Sequence, residues 1–306
     1  MLAAVQVDSI AKEVNKHGNG YKYMDTLPVN MLGLVDDIIG VTVADHSAQQ
    51  LNTILGVKTA EKQLQFGARK CKIMLIGKNE HLKSQVRIGD TLTVDDWTVK
   101  HEHDKNTNET NLIETYNGQV KIEHADTHKY LGFVLSSKGD NLVNINAMKR
   151  KSIWIIRKIF LRLESLHLQK YYFECGLIFL NVFLRSSILY ASETYYNLKE
   201  SQIRQLERIE EGYLRKLFQT GKGCPIVQLY LEAGHVPARF AIKKARLLFL
   251  KSILEENPES LIQRFVILQF KNPTKDNWAS SCIEDLKEFG LNLSIEEILK
   301  LKKQQF

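Results

Sequence analysis

The chain has 306 residues and a mass of 35.2 kDa, enough for one large domain or two ordinary ones. Its 44% hydrophobic and 25% charged content excludes a disordered chain. The net charge of +7, at a pI of about 9.0, makes a polyanion the first partner class to consider. The charge is uneven, since residues 149–251 hold 19 Lys and Arg against 8 Asp and Glu, and the remainder is net acidic. Cys71, Cys175, Cys224 and Cys282 stand far apart without a C-x-x-C pair. That spacing argues against a disulfide framework or a zinc knuckle and fits a reducing intracellular setting, nuclear or cytoplasmic. No basic segment followed by an apolar core opens the chain, so no signal peptide is expected. The most apolar run, residues 176–190, is interrupted by Asn181 and Arg185. It reads as too short and too polar to span a bilayer, and as a buried helix.

In chain order, Leu2, Val5, Ser9, Ile10 and Val14 recur at helical spacing, which predicts a helix over residues 1–17 with Gly18 as its stop. Residues 18–28 read as a turn-rich connection. Residues 29–35 and 38–43 are apolar runs separated by Asp36-Asp37, the pattern of a tight β-hairpin. His46 or Ser47 would cap a helix running to Phe66 and stopped by Gly67, with Gly56 inside it. Residues 70–76 predict a strand. Residues 86–122 read as short strand pieces with a polar excursion over residues 101–111, and residues 129–136 as one further short strand. After Lys138-Gly139-Asp140 nearly everything has helical period. Breaks are expected near residues 221–225, 234–237, 257–258, 272–273 and at Gly290, and the domain boundary is placed close to Gly139.

Leu34-Val35-Asp36-Asp37-Ile38-Ile39 is the most informative stretch. Strand formers on both sides lock the turn and lift two carboxylates clear of an apolar layer, which is costly unless a cation compensates them. Mg²⁺ prefers such oxygens, and two such ions can activate a 3′-hydroxyl and stabilise leaving pyrophosphate. Asp-Asp alone is more often a solvated turn. Thr91-Leu92-Thr93-Val94-Asp95-Asp96-Trp97 carries the same doublet and reads as an ordinary hairpin.

Context separates the two. Leu34-Val35-Asp36-Asp37 is followed by Phe66-Gly67-Ala68-Arg69-Lys70-Cys71-Lys72 and then by Lys129-Tyr130-Leu131-Gly132-Phe133. In order and spacing these stretches resemble the palm motifs of non-LTR retrotransposon reverse transcriptases. The resemblance implies an α+β fold: a truncated polymerase-like palm, an antiparallel sheet with helices, over residues 1–139, then an all-helical thumb and C-terminal region over residues 140–306. It also implies Asp36 and Asp37 as catalytic, Mg²⁺-holding carboxylates, with Asp37's direct role the less defined, and Lys70 or Lys72 near the incoming dNTP triphosphate. Tyr130 would lie beside the primer grip. The family's first catalytic Asp and its fingers are not seen upstream, so a weak Mg²⁺ site and a chain inactive on its own are expected.

In the family the thumb grips the duplex backbone. Here Lys149, Arg150 and Lys151, then Arg157 and Lys158, then Arg162, fall on related faces of one predicted helix, with Trp154, Ile155, Phe160 and Leu163 as its apolar side. Similar mixtures recur at residues 203–217 and 242–247. Such helices can track phosphates without reading sequence, although a solvated amphipathic face is the commoner role. Tyr171-Tyr172-Phe173 and Tyr195-Tyr196 read as core or inter-helix packing rather than base-stacking platforms, and His235 as a loop residue. The implied partners are RNA and DNA, an RNA–DNA hybrid above all, with no membrane. Two other readings stay open: a non-catalytic basic helical nucleic-acid-binding protein, and a relic whose exposed apolar edge drives self-association.

Overall fold

The computed structural model describes residues 10, 14, 21–23, 27–29, 31–34, 37–42, 45–61, 70–76, 93–103, 110–165, 171–274 and 277–300. The fold is α+β. Strands gather in one compact unit, Met1–Gly139, and helices fill a second, Asp140–Phe306.

In the first unit the strands pair two by two. β1 (Tyr21–Tyr23) and β2 (Leu27–Val29) form a small antiparallel hairpin where a turn-rich connection was expected. β3 (Met31–Leu34) and β4 (Asp37–Gly40) form the next, and α1 (Asp45–Glu61) follows. His46 and Ser47 lie inside the first turn of this helix, not ahead of it. Its expected end at Phe66 and Gly67 lies outside the described residues. Ile10 and Val14, one helical turn apart, are buried with Met31 and Leu55 in a small core, and Ile38, Leu51 and Ile54 pack against it. Gly40 permits this approach: a Cβ there would stand 2.6 Å from Leu51 Cδ2. The rest of the helix expected over residues 1–17 is outside the described residues.

Three strand expectations are corrected. The strand over residues 70–76 shrinks to β5 (Lys72–Ile73), parallel to β8 (Glu123–His124). The short pieces of residues 86–122 are instead one long ribbon, β6 (Thr93–His103) against β7 (Thr110–Lys121), so residues 101–103 and 110–111 are paired strand. Within it Asp95 and Asp96 oppose Gln119 and Gly118, with a register shift between Asp96 and Trp97. That doublet is therefore no hairpin turn. The flanking Thr, Val and Trp favour strand, and an irregularity in the register accommodates the two acids. Finally, residues 129–136 are not one strand but part of a hairpin, β9 (Thr127–Tyr130) and β10 (Phe133–Ser136). Its two-residue turn holds Leu131 at φ 48° and Gly132 at φ 85°.

The helical unit runs α2 (Leu142–Ser165), α3 (Tyr172–Phe179), a π-helical segment (Leu180–Arg185), α4 (Ser186–Ile188), α5 (Glu200–Leu217), α6 (Ile226–Glu232), α7 (Ala238–Glu255), α8 (Leu261–Lys271), α9 (Trp278–Glu288) and α10 (Ile295–Lys300). The breaks fall at the glycines and prolines that announce them. Gly234 takes φ +64° while the His235 N–H closes back on the Tyr230 carbonyl, and Gly290 takes φ +79° after α9. Phe160 of α2 meets Tyr213 of α5 at 5.1 Å between ring centroids. A second core joins Leu250, Val266, Phe270, Cys282 and Leu286 from the last helices.

The apolar stretch departs from its expectation. Residues Tyr172–Thr194 form a 23-residue helical run of mean hydropathy 1.5, long and apolar enough to cross a membrane by length and composition alone. Only a third of its most apolar window is buried, so the buried helix expected there is buried along one side. Leu180, Leu184 and Ile188 face the core, and Ile178, Val182 and Phe183 face outward.

Candidate nucleic-acid interface

Asp37 opens β4 directly opposite Leu34, which leaves Val35 and Asp36 as the two residues between the strands. The doublet is thus split: Asp37 belongs to a strand and is exposed, and Asp36 lies outside the described residues. The Tyr130 hydroxyl, at the end of β9, points at the Asp37 backbone carbonyl across 3.5 Å. At that length it is a proximity more than a strong hydrogen bond. Partial burial and then the Asp37 charge raise the Tyr130 phenol above its ordinary pKa. Residues 93 positions apart in sequence are thereby brought together.

The lysines are disposed differently. Lys70 is exposed in a single helical turn ahead of β5. Lys72 pairs with Glu123 on the neighbouring strand at 2.5 Å, and that bond lowers the Glu123 carboxyl's pKa. The ammonium expected near a triphosphate is therefore held by a cross-strand carboxylate. Mg²⁺ requires several oxygens in near-octahedral array. Asp37 supplies one carboxylate at this end of the unit, and among the described residues no group of three or more His, Cys, Asp or Glu gathers. The described residues do not by themselves amount to a metal site.

The three cationic stretches of the helical unit resolve into two kinds. In α5 and α7 many of the charges are engaged within the unit. Arg239 grips Glu207 with two bonds, 2.6 and 3.0 Å, and reaches Glu200 at 2.8 Å. Arg204 pairs with the same two acids. Lys243 bonds Glu288, Arg246 bonds Asp285 at 2.7 Å deep in the unit, and Arg215 donates to the Gly221 and Cys224 carbonyls. Arg239, Lys243 and Arg246 share a polar cavity of about 160 Å³ with Ser281 and Glu284.

α2 is the other kind. Lys149, Arg150, Lys151, Arg157 and Lys158 are all exposed, and none makes an ion pair among the described residues. Ile145, Met148, Ile159, Phe160 and Leu163 anchor the opposite side in the core. Trp154 is the correction: expected on the apolar side, it is 61% exposed, with the Lys158 ammonium 5.5 Å from its ring centroid. Tyr171, expected in core or inter-helix packing, is half exposed, whereas Tyr195 is fully buried.

What sequence reasoning missed is which cations are spent internally. Glu200, Glu207, Asp285 and Glu288 lie 32 to 45 residues from their partners in α7, too far for helical spacing to signal the pairing. No family model, no curated protein and no solved structure matches this chain.

Proposed function

We propose that this chain is part of a reverse transcriptase of the non-LTR retrotransposon kind, and that it holds an RNA–DNA hybrid by its phosphates. The observation that carries the reading is the approach of the Tyr130 hydroxyl to Asp37. In the family resemblance those residues come from two separate motifs, and a polymerase palm needs both beside the primer terminus. The exposed cations of α2, a thumb helix in this reading, supply sequence-independent phosphate contacts. On the same resemblance Asp36 and Asp37 carry the metal role, with dNTP as the small substrate.

The test has two arms. Fluorescence anisotropy with an RNA–DNA hybrid is run from about 50 to 400 mM salt. The logarithm of affinity is expected to fall linearly with that of salt, and Arg157→Ala with Lys158→Ala to flatten the slope by about 2. A photoreactive nucleotide at the primer 3′ end is then cross-linked to the protein. The reading expects adducts in the peptides spanning residues 31–40 or 127–136. Adducts confined to residues 142–165 would favour the second reading, a non-catalytic basic helical nucleic-acid binder, which the open cationic face of α2 supports without any palm. Absence of binding at the lowest salt would sink both.

A further inference from the structure

We propose that Trp154 is a stacking platform for an unpaired nucleobase, which makes the α2 face a site for single-stranded nucleic acid. The inference rests on the nucleic-acid reading above and goes beyond phosphate contact. On an α-helix the surface neighbours of any residue stand at i±3 and i±4. For Trp154 those four positions are Arg150, Lys151, Arg157 and Lys158, and all four are exposed. No acidic residue interrupts the ring, and Leu161, two turns on from Trp154, is exposed as well.

That arrangement is costly to leave bare. Four like charges around one indole repel one another, and the ring keeps 61% of its surface in water. Lys158 relieves part of this by lying over one ring face. A base stacking on the indole, with its flanking phosphates against the four cations, relieves the rest. The cations span residues 150 to 158, roughly 12 Å of helix axis at 1.5 Å per residue. Trp278 makes the contrast within the same unit. Its indole N–H donates to the Glu193 carbonyl at 2.7 Å and its ring packs against Phe249. The Trp154 indole makes no hydrogen bond among the described residues.

A duplex hides the π-faces of its bases inside the stack, so a stacking platform selects strands with unpaired bases. An anionic membrane surface is the rival occupant for a cationic helix bearing a Trp. Membrane-surface helices insert a continuous apolar face. In α2 Ile145, Met148, Phe160 and Leu163 are committed to the core, and the outward Ile153, Trp154 and Leu161 are interrupted by the exposed Arg150 and Arg157 rather than forming a continuous apolar face.

The experiment uses the full chain and a mixed-sequence 12-nucleotide single-stranded RNA, the blunt duplex of the same sequence, and vesicles containing anionic phospholipid. Trp154→Ala is expected to weaken single-strand binding about 5- to 100-fold. Trp154→Phe should retain most of the affinity, and duplex binding should change less than about 2-fold. Fluorescence quenching by the single strand should vanish in Trp154→Phe although Trp97 and Trp278 remain. An equal loss for both nucleic acids, or no loss for either, overturns the stacking role while leaving phosphate binding intact. Trp154-dependent binding to vesicles in place of RNA overturns it in favour of a membrane surface. No binding to either nucleic acid removes the preceding reading together with this one. Thermal melting of the Trp154 variants, expected to be unchanged at so exposed a position, separates these outcomes from misfolding.

Discussion

A Cβ placed on Gly176 would stand 2.2 Å from Leu217 Cδ1, because α3 and α5 cross at this point with only a hydrogen atom between them. The Tyr213 hydroxyl closes the same crossing by donating to the Gly176 carbonyl at 2.7 Å. Leu217 is buried, so its side chain has little room to turn away.

Gly176→Ala should therefore destabilise the helical unit by overpacking. The expected loss is about 1–3 kcal/mol, a fall of roughly 2–10 °C in melting temperature. Leu217→Ala on the Gly176→Ala background should relieve the clash, so the double variant loses less than the two singles summed. An unchanged melting curve for Gly176→Ala would show that the helices separate freely there.

Arg185 of the π-helical segment and Glu210 of α5 form a buried pair, 3.6 Å apart. Glu210 also accepts from the Tyr230 hydroxyl at 3.1 Å. Burial raises its carboxyl pKa against the opposing pull of Arg185. Glu210→Ala strands a buried guanidinium and should cost about 3–5 kcal/mol in denaturant unfolding. Adding Arg185→Met removes the stranded charge and should recover a measurable part of that loss. Strictly additive losses would show that the two residues do not act as a pair.

These pairings mark where the sequence stops being legible. The helix breaks could be read because Gly234 and Gly290 adopt positive φ where a helix must end. The hairpin around Asp36-Asp37 could be read because strand formers stand on both sides, though the register puts Asp37 in β4, paired with Leu34. Asp95-Asp96 looked the same and became the third and fourth residues of an 11-residue strand, since the deciding partners, Gln119 and Gly118, are distant in sequence. Trp154 misled for a simpler reason. Large apolar residues are assigned inward by default, and only the outward positions of its four cationic neighbours show otherwise. Of the candidate site, the proximity of Tyr130 to Asp37 follows the motif order, whereas the capture of Lys72 by Glu123 left no local trace.

Asp285 gives the unit a pH dependence with a definite sign. Burial pushes its carboxyl pKa up to about 6 although Arg246 opposes the shift from 2.7 Å away. A folded-state pKa above the unfolded value means that the folded chain binds this proton more tightly. The contribution is therefore present at low pH and lost as pH rises from about 4 to about 6. Comparing the protein with Asp285→Asn by urea unfolding between pH 4.5 and 8 isolates it. The variant's deficit should be largest near pH 4.5 and shrink, by on the order of 2 kcal/mol, toward neutrality. A deficit that grows with pH would mean that the ion pair with Arg246 outweighs burial.

Leu131 stores strain in the hairpin that carries Tyr130. With Leu131 at φ 48° and Gly132 at φ 85°, both turn residues are left-handed, as in a type I′ connection. Glycine bears that conformation without penalty, but a leucine pays about 1–2 kcal/mol for it. Asn is far more tolerant of it. Leu131→Asn should accordingly stabilise the β9–β10 pairing by about 0.5–1 kcal/mol, slowing exchange of its ladder amides roughly 2- to 5-fold. Leu131→Val, β-branched and worse in this conformation, should speed the same exchange. Faster exchange in the Asn variant would show that the half-exposed leucine side chain contributes more through its contacts than its backbone costs.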